Sequence, residues 1–412
     1  MIFDPTDPPL EHKAAPPSPT GPLNALNRRA RIALAHDWLV AYRGGEAVLE
    51  AIIRRVLAHG HSIPRIYTMF DSGTSLGPTI DALPRTTAPI NRWPARARRW
   101  LLPLYPRAVA NLSVKLARDH ADSPYDLLIS TSSAAIKGLT PPPGVPHLCY
   151  CHAPARYLWS QSEQYGLGRG GLLRRAGLRV FGPSLRAWDR RTARGVTRFL
   201  ANSTHIAAEI GRRYGATADV LWPPVRTAFF TPPDSATGAA PVNWLYAGAI
   251  EPYKRVDLAI AAANASRTPL TIVGEGTQAA HLRAIAGPTV RFVGRVTDEQ
   301  MREHYRAASL LLFPQVEDFG IVAVEAQACG TPVLAFGAGG ALDSVVDGVT
   351  GAFFRDPTPQ SLIAAAATAP RKSARVSADC RANAERFSST RFVEAFDRHL
   401  NELLRMSGVT AA

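Results

Sequence analysis

Short apolar runs that stop at glycine or polar loops, each followed by residues at helical spacing, recur on both sides of one proline-rich break. That alternation constrains the fold more than any single motif. Before the break, buried strands are expected over residues 31–36, 63–69, 125–130, 147–152 and 197–203. A loop over 37–45 carries Gly44 and Gly45, and residues 46–53 have helical spacing, so the first strand opens a βαβ unit. Ser203 or Thr204 would cap the helix after the last of these strands. Beyond the break, strands are expected over 242–247, 269–273, 290–293, 309–314 and 332–336. Helices are expected from near Val256, over 298–308 with Thr297 or Asp298 as cap, and after Glu317. The fold class is therefore α/β, with two doubly wound, Rossmann-like domains. A chain of 412 residues is also long for one core. The expected boundaries are a disordered tail over 1–27, a first domain over 28–230, a linker over 231–241, a second domain over 242–390, and an amphipathic helix within 391–412.

Composition narrows the class. Hydrophobic residues make up 46% and charged residues 19%, and no apolar run approaches the roughly 18 to 20 residues of a membrane span. The first 27 residues carry Asp4, Asp7, Glu11 and many prolines, with no apolar centre, which does not read as a secretory signal. Cys149, Cys151, Cys329 and Cys380 form no disulfide framework, and Cys149 and Cys151 alternate along one strand as small buried residues would. A cytoplasmic protein is expected.

Charge is uneven. Residues 1–225 hold 29 Lys and Arg against 15 Asp and Glu, whereas residues 226–412 hold 18 of each. Arg92, Arg96, Arg98, Arg99 and Arg107 form one basic cluster, and a second runs from Arg169 through Arg174, Arg175 and Arg179 to Arg198. Trp93, Trp100, Trp188 and Leu104 lie among them. Arginine mixed with tryptophan and leucine suits an anionic membrane surface, the inner face of the cytoplasmic membrane being the expected one. Nucleic acid would also attract such a face but is not the expected partner.

The chemistry should sit beyond the carboxyl ends of the strands, where open parallel sheets bind ligands. Glu317 and Glu325 stand eight positions apart around Asp318-Phe319-Gly320-Ile321. If a helix starts near Phe319, Glu325 lies almost two turns into it and Glu317 hangs in the loop at its mouth. The free amides of that mouth could hold a phosphate or a sugar hydroxyl. Gly44 and Gly45 can bring backbone amides close to an anion or a sugar. His152 follows a strand directly and can bond a sugar hydroxyl or act as acid or base. Lys254 and Arg255 could clamp a diphosphate. No His/Cys spacing and no strand-end Asp-x-Asp suggests a metal site.

Glu317 to Glu325, the preceding apolar strand and the following Ala326-Gln327-Ala328-Cys329-Gly330-Thr331-Pro332-Val333 resemble the E-x7-E signature of the retaining glycosyltransferases of family 4. Tyr253 to Ile260, Gly274-Glu275-Gly276, Phe292-Val293-Gly294, Gly339-Gly340 and the 346–351 segment fall in the family's order. His36 to Leu39 with Gly44-Gly45-Glu46, residues 150–157 and Asn202-Ser203 are similar to the bacterial mannosyltransferases of O-antigen and exopolysaccharide synthesis. The likeness covers roughly residues 30–400.

That resemblance implies the GT-B fold, with acceptor on the first domain and nucleotide sugar, GDP-mannose being the first candidate, mainly on the second. It implies transfer of a hexose to a polyprenyl-diphosphate-linked saccharide with retained configuration, without cofactor or metal. His152, Lys254 and Glu317 are the implied catalytic residues. Gly44, Gly45, Arg255, Gly274, Gly294, Phe319, Gly320, Ile321 and Glu325 are the implied nucleotide-sugar contacts, with Glu325 on the ribose. Many relatives place an arginine where this chain has Ala249, so Arg255 would substitute or Lys254 would carry more of the diphosphate. A UDP-sugar transferase, a sugar-nucleotide epimerase and a non-catalytic nucleic-acid or membrane binder are the alternatives.

Overall fold

A computed structural model of the chain describes residues 28–94, 100–159, 171–233 and 243–409, the side chains of 171–174 excepted. The tail expected over 1–27, Arg96, Arg98, Arg99, Arg169 and most of the expected linker lie outside the described residues.

The first half forms a seven-stranded sheet: β1 Ile32–Leu39, β2 Ile66–Asp71, β3 Arg85–Thr87, β4 Leu127–Ser132, β5 His147–Cys151, β6 Arg198–Ala201 and β7 Ala218–Val220, in the order β3-β2-β1-β4-β5-β6-β7. The second half forms a six-stranded sheet: β8 Trp244–Ala247, β9 Leu270–Val273, β10 Val290–Gly294, β11 Leu310–Phe313, β12 Val333–Phe336 and β13 Gly351–Phe354, in the order β10-β9-β8-β11-β12-β13. Every pairing is parallel, with Ala35 opposite Ser130 and Leu311 opposite Leu245 in the central pairs. Parallel strands covered on both faces should be apolar throughout, and β4, β5 and β11 are buried at every position. Apolar clusters cover both faces of each sheet. Leu34, Ile52 and Ile129 belong to one face of the first, Ala33, Phe70 and Leu128 to the other. Leu311 and Val333, and Leu312 and Leu334, divide the second sheet likewise.

In both sheets the winding direction reverses between the first strand and its fourth-strand neighbour, β1/β4 and β8/β11. These two switch points are where a doubly wound sheet opens a crevice. The final helix, Ser389–Met406, returns to the first lobe. It buries Phe392, Phe396, Leu400, Leu403 and Leu404 against the β1 side of the first core, and Arg55 and His59 pair with its Asp397.

Some elements differ from expectation. Strand β1 continues to Leu39 because Trp38 and Leu39 pair with Phe70 and Asp71 of β2. Strands β3 and β7 are three-residue edges, β3 polar throughout and β7 interrupted by Asp219, so no apolar run marks them. The helix after Glu317 begins at Ile321. Gly320 precedes it at φ 91°, a left-handed turn that a β-carbon would disfavour, which delays the helix by two residues. Glu325 is therefore its fifth residue rather than lying nearly two turns in. All four cysteines are buried and free.

Candidate active site

A cavity of about 580 Å³ opens between the two switch points. The end of β1 and the helix Gly44–Ala58 that follows supply its first wall. Glu46 accepts from the Arg43 amide at 2.9 Å with one oxygen and stands 3.5 Å from His36 Nε2 with the other. Thr131 Oγ1 lies 2.5 Å from His36 Nδ1, so both ring nitrogens are held. The Asp37 carboxylate accepts from the amides of Ser133, Ala134, Ala135 and Ile136 at 2.6–2.9 Å and is thereby saturated as a structural anchor. A β-carbon on Gly45 would stand 3.7 Å from His152 Nε2, and one on Gly44 would stand 3.1 Å from Ile321 of the other lobe. The starts of the helices Gly44–Ala58 and Ile321–Ala328 thus approach each other across the opening.

His152 sits just beyond β5. Its amide donates to the Ser132 carbonyl at 2.8 Å, and Asn202 donates to its carbonyl at 3.0 Å. The ring packs edge-on against Tyr150 with centroids 5.0 Å apart. Burial, with smaller effects from His36 and Arg156, pulls its pKa down to about 3, so the imidazole is neutral near pH 7.

The second wall comes from the loops after β8 and β11. Lys254 ends a 3₁₀ turn, Pro252–Lys254, and its ammonium is ion-paired with Glu317. Phe319 is buried against Phe387, centroids 5.4 Å apart, and so fixes the loop from below. A β-carbon on Gly320 would stand 2.5 Å from the Phe313 ring.

The structure gathers Gly44, Gly45, His152, Lys254, Glu317, Phe319, Gly320 and Ile321 around this one cavity. Four other expected contacts do not line it. Arg255 takes a left-handed φ of 53°, and its side chain turns to Asp257 at 3.3 Å. Gly274 has φ +131° and packs so closely under the Gly248 carbonyl that a β-carbon would stand 1.9 Å from that oxygen. Gly294 accepts from the Gly274 amide at 2.8 Å. These two glycines shape the loops behind the wall. Glu325 lies deeper along its helix and accepts from the Tyr305 hydroxyl at 2.9 Å. Burial raises its pKa to about 7, against the opposing effects of Tyr305 and Arg226.

Trp38, Arg156 and Gln315 also line the cavity, and no role was expected of them from the sequence. Trp38 Nε1, His152 Nε2, Arg156 Nε and Gln315 Oε1 all line the cavity and are buried without a hydrogen-bond partner. Buried polar atoms are ordinarily satisfied, so this convergence marks a surface built for a polar ligand. Gln315 stands two residues beyond β11, near the strand end as His152 is at β5, and strand-end position was the available signal for it. Among the described residues, no three His, Cys, Asp or Glu side chains gather as a metal site requires.

Comparison with known proteins fits this geometry. The model of the family described as Glycosyltransferase Family 4 matches residues 42–229, and that described as Glycosyl transferases group 1 matches residues 239–387. One match falls on each half of the chain, and the chain has the GT-B fold. A D-inositol 3-phosphate glycosyltransferase of Streptomyces scabiei is 34% identical over 228 residues, covering 47% of this chain and 51% of its own length. The chain thus spans about half the length of the curated relatives it matches. Among solved structures, Anabaena Alr3699/HepE in complex with UDP superposes with a TM-score of 0.66 at 17% identity, over 90% of this chain and all of that one. Sucrose-phosphate synthase from Thermosynechococcus elongatus gives 0.67 at 18%, over 92% and 100%. At these identities the likeness concerns the fold.

Proposed function

We infer that the protein is a glycosyltransferase that moves a hexose, with mannose the first candidate, from a nucleoside diphosphate sugar to a lipid-linked saccharide, with configuration retained. The observation that carries the reading is the set of unpartnered polar atoms converging, with the Lys254–Glu317 pair and two helix starts, on one cavity between the sheets. Glu317 and the amides near Gly320 and Ile321 would hold the donor sugar, Lys254 the diphosphate, and His152 a hydroxyl of the transferring sugar through Nε2. The acceptor hydroxyl attacks the anomeric carbon on the face that the diphosphate leaves. The carbon–oxygen bond to phosphate breaks, the new glycosidic bond forms, and the hydroxyl proton passes to the departing phosphate oxygen. The protein contributes position and charge. A uracil donor is the second reading, favoured by the UDP of the Anabaena structure. Thermal-shift screening with GDP-mannose, UDP-glucose and related donors tests both. Stabilisation by one donor is expected, and the reading fails if no nucleotide sugar raises Tm.

Glu325 lies beyond the cavity lining, and by the family resemblance it would accept from the ribose hydroxyls in its ionised form where the nucleotide extends past Ile321 along the helix. Because its pKa stands near 7, affinity for a nucleotide sugar, whose diphosphate does not itself titrate there, should rise through pH 6 to 8. Below pH 6 the loss should approach about tenfold per pH unit. Calorimetry across this range should show the slope in the native protein, and a flat, weaker profile in Glu325→Gln. A native profile without slope refutes the assignment. For the fold itself the sign is opposite: the raised pKa means stability present below the ordinary value of 4.5 is lost as pH climbs toward 7.

The membrane reading rests on exposed Trp93, Trp100 and Leu104 beside Arg92, and on exposed Val180 and Phe181 beside Arg175 and Arg179. Both groups flank the cluster where Leu101 and Leu102 meet Leu178 and Leu185. No helix among the described residues is long and apolar enough to cross a membrane. Binding at this face should be peripheral and salt-sensitive. Sedimentation with anionic liposomes at low salt, lost in a Trp93→Glu/Val180→Glu double variant, is expected; no sedimentation of the native chain removes the idea.

A further inference from the structure

Lys254 has a counterpart across the cleft. Arg156 stands four residues beyond His152 on the first lobe, and it lines the same cavity. Its guanidinium is ion-paired with Asp318 of the second lobe, the residue next to Glu317. Two adjacent carboxylates therefore each hold one cation, one from each lobe, at the start of the helix Ile321–Ala328. The arginine Nε is buried and has no acceptor, so Asp318 leaves the guanidinium fork unfilled. Asp318 foremost, then Glu317, holds the arginine pKa above its ordinary value; burial pushes the Asp318 carboxyl up, and Glu317 adds to that. Crowding two acids against this mouth is a poor way to stabilise a fold, since desolvation offsets most of what such pairs gain. It is a suitable way to keep two cations in place for a more highly charged anion.

We propose that Arg156 is the second cationic ligand of the donor diphosphate, and that Asp318 occupies its guanidinium until the nucleotide enters. The inference rests on the nucleotide-sugar reading above and names the residue that completes it. Arg255 faces Asp257 away from the cavity, and Ala249 carries no charge. A guanidinium offers two parallel donors to phosphate oxygens, and the free Nε supplies one of them. Because Lys254 and Arg156 sit on different lobes, the diphosphate would bridge them, which couples donor binding to lobe closure.

Calorimetry on the full chain with GDP, UDP and ADP, and with the sugar nucleotide of whichever binds, tests the proposal. Arg156→Ala should weaken nucleoside diphosphate binding by about 10- to 100-fold, the range of one lost charge-assisted hydrogen-bonded contact. Arg156→Lys should recover part of that loss. Asp318→Asn should bind as tightly as the native chain or more tightly, because a competing anion is gone. A pair that merely latches the lobes would instead lose affinity in both variants alike. Native-like affinity in Arg156→Ala, or weakened affinity in Asp318→Asn, overturns the proposal. If the native chain binds no nucleoside diphosphate, the reading beneath it fails first.

Discussion

Lys254→Ala should lower turnover by about 10²-fold or more while changing donor affinity much less. The reason is where charge appears. When the anomeric bond breaks, negative charge grows on the departing phosphate oxygen, and a fixed cation in a partly dry cleft stabilises that moment more than the bound donor. The fold fixes the lysine's position: its 3₁₀ turn brings the ammonium to Glu317, and the Tyr253 ring lies 5.3 Å from it. The Glu317 carboxylate is paired with the lysine. A sugar nucleotide would draw Nζ toward phosphate and free Glu317 for the sugar hydroxyls. Lys254→Arg should therefore keep charge but not position, and recover only part of the loss. Steady-state kinetics with a saturating donor, beside a melting curve to show that the variant folds, decides the matter. Turnover near the native value in a folded Lys254→Ala chain would refute the role.

How much of this was readable beforehand depends on which force fixes each residue. The strands β4, β5 and β11 were legible because a parallel strand covered on both faces must be apolar along its length. The edge strands β3 and β7 were not, since their pairing is made by backbone groups that leave no trace in side-chain pattern. His152, Lys254 and Glu317 were legible because each follows a strand or turn end, where a parallel sheet presents its ligands. The role open to Arg156 was not, because it depends on the first lobe meeting Asp318, which lies 162 positions away in sequence. The same gap misled on Arg255. Its neighbour Lys254 points into the cavity, but a left-handed φ at Arg255 turns the next side chain out to Asp257. The return of the helix Ser389–Met406 to the first core was likewise beyond its own amphipathic pattern, which states that a face is apolar but not what will cover it.

Gly340→Ala should abolish most activity without touching any group that meets substrate. Gly340 has an ordinary φ of −68°, so backbone conformation does not demand glycine there. Space does. A β-carbon would stand 2.3 Å from Phe319 Cα and 2.5 Å from the Asp318 carbonyl, and the Gly340 amide donates to the Glu317 carbonyl at 2.8 Å. The turn after β12 is therefore the floor on which the 317–320 loop rests, and neither side is a flexible side-chain end that can swing aside. An added methyl must lift that loop, and with it Glu317 and the start of the helix Ile321–Ala328. Overpacking of this kind costs about 1–3 kcal/mol of stability, and an ångström of displacement at the reacting centre costs about 10²-fold in rate. Gly348→Ala is the matched control. That glycine has φ +72° with open space around its β-carbon position, so substitution strains the backbone without pressing on the loop. Both variants should melt earlier than the native chain, but Gly340→Ala alone should lose turnover by about two orders of magnitude. Equal activity in the two at matched folded fraction would mean that the 317–320 loop does not carry the chemistry assigned to it.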